Sequence, residues 1–333
     1  MNNMNVLVTG CFGFIGYNFL NYLTKNFSED INITGIDSLI TKTSKLNQIE
    51  YKDSKNFKFF QLDINDVSSL EKKDFDLIIN FAAESHVDNS ISDPNKFIRS
   101  NVMGTIELLK FAYKNEIQSF IHISTDEVYG SNSNGFSVEG DILDPSSPYS
   151  ASKASAEMIC NAFVKTYDMK IKICRPANNY GNYQQPEKLI PYTVANLLSG
   201  KNIELYGDGK NIRHWLHVED TCLAIMTILK NGKSNSIYNI GSDEYFNNLE
   251  IANMILDALE LDSNKITFVE DRPGHDFRYA VNFDELKNIG FVPQKNVSTE
   301  ISNIIQWYKE NRAWWEEDYL KVLENRLNRT KLN

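Results

Sequence analysis

The chain holds 333 residues, 42% of them hydrophobic and 23% charged, with a formal net charge of −10; these are the proportions of a folded globular protein, not a disordered one. That length accommodates two packed units, one of them large enough for a full parallel sheet. The acidic balance excludes nucleic acid or an anionic membrane as the expected partner, because both demand a basic field.

Taken in order, Asn5-Val6-Leu7-Val8-Thr9 is a β-branched, apolar strand that runs straight into Gly10-Cys11-Phe12-Gly13-Phe14-Ile15-Gly16. Phe19, Leu20 and Leu23 then recur at helical spacing. Three glycines between a strand and a helix are where a dinucleotide fingerprint must sit. Gly10 permits the tight turn, Gly13 lets the backbone approach a pyrophosphate, and Gly16 lets helix and sheet pack closely. A second strand over 31–36 ends in Asp37, an acid suited to free ribose hydroxyls and hostile to an extra phosphate. NAD is therefore expected, and no metal is. A third strand over 57–61 precedes Asp63 and Ile64, placed near the adenine edge.

A fourth strand, Leu77-Ile78-Ile79-Asn80-Phe81, is apolar enough to be buried on both faces. It leads into Ala82-Ala83-Glu84-Ser85-His86-Val87-Asp88, whose small residues allow close approach to a cofactor. A long helix is expected over 95–114, then a strand over 120–123 that delivers Ser124-Thr125-Asp126-Glu127-Val128-Tyr129-Gly130 to the rim of the crevice. His122, inside that strand, reads as a satisfied core residue; His86, past a strand end, reads as a ligand contact. Adjacent carboxylates at a strand end suit an acid and a base whose surroundings push their pKa values apart.

Tyr149 and Lys153 open the next helix four residues apart, on one face. A neighbouring ammonium favours a phenolate able to take a proton from a hydroxyl. The same spacing at Tyr51 and Lys55 has no strand or glycine loop beside it and reads as chance. The βαβ alternation argues an α/β protein with a doubly wound parallel sheet.

These motifs resemble the extended short-chain dehydrogenase/reductase superfamily and, within it, the dTDP-glucose 4,6-dehydratase family. The narrower resemblance is carried by the 82–88 and 124–130 blocks, Asn178-Asn179-Tyr180-Gly181, Pro186-Glu187-Lys188-Leu189-Ile190-Pro191 and Asp271-Arg272-Pro273-Gly274-His275. It implies a Rossmann sheet with a smaller mixed α/β substrate domain. It also implies a 4,6-dehydratase of dTDP-glucose, with UDP-glucose or a 4-epimerase as alternatives; the carboxylate pair argues against the last. By resemblance, Tyr149 deprotonates the 4-hydroxyl with Thr125 holding it, Glu127 removes the C5 proton, and protonated Asp126 releases the 6-hydroxyl as water. Lys153, Gly10, Gly13, Phe14, Ile15, Gly16, Asp37, Asp63, Ile64, Phe81, Ala82, Ala83 and Ser100 join Tyr149 around the cofactor. His86, Asn178, Asn179, Lys188, Leu189, Tyr206, Arg213, Asn248, Arg272 and His275 hold the nucleotide sugar. Cys11-Phe12 and Asn89 depart from the family's usual residues, and the former should alter packing on the adenine side.

Farther on, a sixth strand is expected over 170–174, a turn at Tyr206-Gly207-Asp208-Gly209 between two short strand-like runs, a helix over 219–230 and a seventh strand over 236–240. Helices and a strand follow near 249–259, 266–269 and from 298 onward, with Trp307, Trp314 and Trp315 as packing aromatics. The expected division assigns 1–176 and about 214–242 to the cofactor, and about 177–213 and 243–333 to the sugar nucleotide. A homodimer through the helices at 95–114 and 149–167 is what the resemblance implies. Cys11, Cys160, Cys174 and Cys222 fall in no CxxC or Cys/His pattern. With no basic leader before an apolar core and no apolar run approaching ~18 residues, a cytoplasmic chain that does not span a membrane is expected.

Overall fold

Seven parallel strands line up in the order β10-β6-β5-β4-β1-β2-β3. They are β1 (Met4–Thr9), β2 (Ile31–Asp37), β3 (Phe57–Gln61), β4 (Leu77–Asn80), β5 (Ser119–Ile123), β6 (Ile171–Pro176) and β10 (Ile237–Ile240). The structure is a computed structural model and describes residues 4–27, 31–51, 56–71 and 74–330. Side chains alternate between two faces, as strand geometry demands. Val6 and Val8 enter one core with Phe19, Leu20, Ala224 and Ile225, whereas Leu7 enters the other with Leu108, Leu109 and Cys160. The helices Phe14–Phe27 and Val218–Asn231 thus cover one face, and Gly104–Lys114 and Pro148–Tyr167 the other. The doubly wound sheet expected from the sequence is present.

The strand order reverses between β1 and β4, so the ligand crevice of such a sheet falls at their carboxyl ends. There Thr9 is registered against Asn80.

Two small sheets complete the molecule. One orders β11 (Tyr245–Asn247), β9 (Ile212–His217) and β7 (Asn178–Tyr180); the other pairs β12 (Ile266–Val269) with β8 (Ile203–Tyr206). The strands flanking the 206–209 turn therefore pair with distant partners and not with each other. Trp314 and Trp315 are buried among Tyr180, Tyr192, Ile301 and Tyr308, with Trp307 against them, as packing aromatics should be.

The helix expected over 95–114 forms in three parts, Pro94–Phe97, a π-turn at Ile98–Met103, and Gly104–Lys114. The π-turn carries Asn101, whose amide oxygen accepts from Glu84 N at 2.8 Å and whose nitrogen donates to Glu84 O at 3.0 Å and Ser152 Oγ at 2.8 Å. A local bulge in the helix thus clamps the loop after β4 to the helix Pro148–Tyr167. All four cysteines are free and buried. Among the described residues no helix is long and apolar enough to cross a membrane.

Candidate active site

The glycine loop leaves β1 at the switch point. Gly10 has φ +61°, and a Cβ there would stand 2.7 Å from the Ala82 backbone; one on Gly16 would collide with the Gly10 carbonyl. Both glycines serve the closure of the loop itself. Gly13 differs, because an added Cβ would meet only Gly10 O, at 3.4 Å. Its bare face lies at the head of the helix that Phe14 and Ile15 begin, where unpaired N–H groups and the helix dipole favour phosphate. Asp37 ends β2 and accepts from Phe12 N at 3.0 Å and Leu39 N at 2.8 Å. Burial raises its pKa while those backbone donors oppose the rise. An open glycine, a helix N-terminus and a half-buried acid one strand away form a cradle that fits a dinucleotide.

Phe81, Ala82 and Ala83, all half-buried, run along that cradle, and half-buried Ser100 lies in the π-turn. Asp63 caps the short 3-10 helix Ile64–Ser69, and Ile64 packs against Gly104. The departure at Phe12 has a packing explanation: its ring is fully buried among Tyr17, Tyr51, Phe57 and Phe59. The phenol of Tyr51 donates to Thr24 Oγ1 at 2.6 Å within that cluster, and Lys55 lies outside the described residues.

β5 delivers Ser124 and Thr125, after which Asp126–Tyr129 form a 3-10 turn capped by Thr125. Thr125 Oγ1 accepts from Glu127 N and donates to Asp126 Oδ1, both at 3.3 Å. The other Asp126 oxygen and Ser124 Oγ are buried without a partner. Burial and then the Glu127 charge push Asp126 well above the ordinary carboxyl range, with Arg213 and the Thr125 hydroxyl opposing. Burial also raises Glu127, but Lys188, Arg272 and Arg213 all pull it back. Both carboxyls are pushed upward, and Glu127 has the more cations set against that push.

Tyr149 sits in the first turn of Pro148–Tyr167, a start fixed by a Ser147/Ser150 capping box. Burial, Glu127 and Asp126 raise its pKa, while Thr125 opposes them. These influences oppose the phenolate that a neighbouring ammonium would favour. Lys153 Nζ instead donates to Ile123 O at 2.6 Å, and burial brings its pKa down to about 8. Farther along this helix, Glu157 accepts from buried Arg175 at 2.5–3.1 Å, and Arg175 Nη1 donates to Tyr129 Oη at 2.5 Å. That knot ties the carboxylate turn to the Tyr149 helix. His122 is buried as expected, but only half satisfied: Nδ1 accepts from Asn80 Nδ2 at 3.3 Å and Nε2 has no partner.

The structure brings every expected substrate residue to one cleft: His86, Asn178, Asn179, Lys188, Leu189, Tyr206, Arg213, Asn248, Arg272 and His275, with Glu127 at its wall. Its volume is about 980 Å³ with the open mouth included, the size range of small-molecule sites. Asn178 Oδ1 is buried without a partner and is poised for a ligand. Asn179, by contrast, is already engaged, donating to Ala177 O at 2.9 Å and accepting from Thr221 Oγ1 at 2.6 Å. His86 caps the helix Val87–Ser92, accepting from Asn89 N at 3.3 Å. Arg213 Nη2 donates to His275 Nε2 at 2.9 Å, and burial with two nearby arginines lowers His275 to about 4, so that ring is neutral. Lys188 Nζ donates to Ser85 O at 2.7 Å.

Sequence reasoning missed several wall residues. Asp88 pairs with Arg272 at 3.0 Å and accepts from Tyr206 Oη at 3.0 Å, so it orients both. Tyr192, Glu204, Tyr279 and Arg326 also line the cleft. Asp88 stood inside a quoted motif, but nothing local marked the other four.

Fold and site together define a dinucleotide-binding protein of the Rossmann type, with a Tyr/Lys pair on one helix and two adjacent carboxylates, of which Glu127 lines a nucleotide-sized cleft. The chain belongs to the GDP-mannose 4,6 dehydratase family, whose sequence pattern matches residues 7–303. It is 39% identical to a dTDP-glucose 4,6-dehydratase of Streptomyces niveus, over 94% of this chain and 95% of that one. It is 41% identical to the low-salt glycan biosynthesis protein Agl12 of Haloferax volcanii, over 92% and 98% of the two chains. Among solved structures it resembles DesIV, a dTDP-glucose 4,6-dehydratase from Streptomyces venezuelae with NAD and TYD bound, with TM-score 0.91, 39% identity and coverage of 95% and 100%.

Proposed function

We propose that this chain is an NAD-dependent 4,6-dehydratase that converts dTDP-glucose to its 4-keto-6-deoxy derivative. The observation that carries the reading is the Asp126–Glu127 pair beside Tyr149, with buried Asp126 pushed toward its neutral form and half-buried Glu127 drawn toward ionisation by three cations. Its relatives of known activity support the substrate.

NAD, held by the Gly10–Gly16 loop, Asp37 and Lys153, would supply the oxidising and reducing capacity at the hexose. The chain's own residues manage the protons. Tyr149 takes the 4-hydroxyl proton while Thr125 fixes that hydroxyl. A phenol raised by two carboxylates needs a cation to act, and Lys153, one helical turn along, is the residue assigned to supply it. Glu127 then takes the C5 proton, acidified by the 4-keto group, and Asp126 gives its proton to the departing 6-hydroxyl. Arg213, Arg272 and Lys188 balance the diphosphate charge.

The domain division follows the same logic, with residues 1–176 and about 214–242 serving the cofactor and the remainder the nucleotide sugar. Pairing of β10 with β6 supports the first assignment. Exposed Ile98, Met103, Tyr113, Met158 and Tyr167 on two adjacent helices support a homodimer. The four free thiols support a cytoplasmic setting, where they stay reduced. The test is incubation with dTDP-glucose and UDP-glucose separately, followed by mass spectrometry. A product lighter by one water and bearing a 4-keto group is expected from the first; its absence with every glucosyl nucleotide would sink the reading.

A further inference from the structure

We infer that Asn47, held in orientation by Trp314 of the C-terminal helix, is a positioning residue that fixes the glycine loop for NAD. That helix is then a working part of the cofactor site. The inference rests on reading the loop as the NAD cradle.

Asn47 is fully buried in the helix Lys42–Glu50, and its amide lies between two groups that each allow one role. Trp314 Nε1 can only donate, and it reaches Asn47 Oδ1 at 2.8 Å. Phe12 O can only accept, and it receives Asn47 Nδ2 at 3.1 Å. The orientation of the amide is thereby settled, and the indole satisfies its buried oxygen.

What Asn47 grips is the peptide between Phe12 and Gly13. A peptide unit is planar and trans, so its C=O and N–H point in opposite directions and turn together. Holding Phe12 O therefore sets the direction of Gly13 N–H, which donates to Gly10 O at 3.1 Å and helps oppose the rise in the Asp37 pKa. Phe12 N in turn donates to Asp37 Oδ2 at 3.0 Å. One residue of the loop is thus tied at its N–H by the acid suited to ribose and at its C=O by Asn47. Releasing the carbonyl frees the peptide plane to swing, and the bare face of Gly13 leaves the head of the helix with it.

The helix Arg312–Thr330 has its seat elsewhere. Trp314 and Trp315 lie in the core that also holds Tyr192 and Leu189, which line the nucleotide-sugar cleft. Asp318, one turn after Trp314, accepts from Thr43 N at 3.0 Å, at the N-terminus of the helix that carries Asn47, where a carboxylate is favoured. Thr43 and Asn47 on one helix therefore face Asp318 and Trp314 on the other, each pair four residues apart and on one side. A packing fault at Trp314 would reach dTDP through Tyr192, whereas loss of the indole N–H reaches NAD through Asn47.

The experiment is calorimetric titration of the full chain with NAD and, at saturating NAD, with dTDP. It compares wild type, Asn47→Ala, Trp314→Phe and the double variant, with thermal melts alongside. An ordinary hydrogen bond shifts an equilibrium by about fivefold, and apparent affinity falls with the population of the competent loop. Asn47→Ala is therefore expected to weaken NAD about fivefold or more and Trp314→Phe about threefold, with dTDP changed by less than about twofold. Because the indole acts through the amide, the double variant should bind NAD no more weakly than Asn47→Ala alone. Additive losses, or dTDP losses that match those of NAD, would make Trp314 a packing residue and overturn the inference, as would unchanged NAD affinity. If Asn47→Ala does not fold, Trp314→Phe decides by the same two titrations. A wild-type chain that binds no NAD would overturn the cofactor reading itself, and this inference with it.

Discussion

Replacing Asp126 with Asn isolates the proton it is proposed to donate. The side chains are nearly isosteric, and the amide oxygen can keep the 3.3 Å bond from Thr125 Oγ1. Burial and Glu127 push the carboxyl toward its neutral form, so a neutral amide is the exchange that least disturbs the field on Tyr149 and Glu127. What disappears is an acidic proton on the oxygen that has no protein partner. A positioned general acid is worth about 10²–10⁴ in rate, or roughly 3–5 kcal/mol of barrier. The assay is a single turnover of dTDP-glucose on NAD-loaded enzyme in deuterium oxide, with NADH absorbance and product mass followed together. Reduced cofactor should accumulate and C5 should still take up deuterium, because Tyr149 and Glu127 are intact, while water loss slows by that factor. Water loss within about threefold of wild type would refute the assignment, since no general-acid contribution is that small.

The other expectations can be tested on the same preparation. Glu127→Gln should abolish deuterium uptake at C5 as well as water loss and spare NAD binding; exchange that persists would place the base elsewhere. Gly16→Ala should cost about 1–3 kcal/mol of stability, because its methyl has nowhere to go. Gly13→Ala should melt near wild type yet lose NAD affinity; calorimetry and thermal melts separate the two. Lys153 has a folded pKa of about 8 against 10.5, so between those values the unfolded state binds more protons and stability rises with pH. Wild type should therefore gain in Tm relative to Lys153→Met from pH 8 to 10.5, and the opposite trend would show that burial does not depress the ammonium. Arg175→Met strands the Glu157 charge in the core and should cost about 3–5 kcal/mol, whereas Arg175→Met/Glu157→Leu should recover most of it in urea melts.

Much of this site could be read from the chain because its signals are local. Gly10, Gly13 and Gly16 are confined to one turn, Asp126 and Glu127 are neighbours, and Tyr149 and Lys153 share a helix face. Parallel strands buried on both sides announce themselves as apolar runs, so β1, β4 and β5 were plain. Arg326 was not, because a charged residue near the end of an amphipathic helix looks solvated until its partners are known. Those partners, Tyr192, Glu204 and Tyr206, lie more than a hundred positions away. The pairing of β8 with β12 was hidden for the same reason, since short strands carry no mark of whom they join. The π-turn at Ile98–Met103 escaped because its cause is tertiary: Asn101 is drawn to the Glu84 backbone and Ser152. Tyr149 misled in the other direction, as spacing revealed its lysine but not the two acids that raise its pKa.

The thiols in the two cores give the molecule a clock of its own. Cys11, Cys174 and Cys222 lie in the layer on one side of the main sheet and Cys160 in the layer on the other. None is exposed, and burial suppresses the reactive thiolate of each. An alkylating reagent can reach them only when a layer opens. Peptide mapping after timed exposure would therefore follow the opening of each side separately, in the unaltered protein and without a dye.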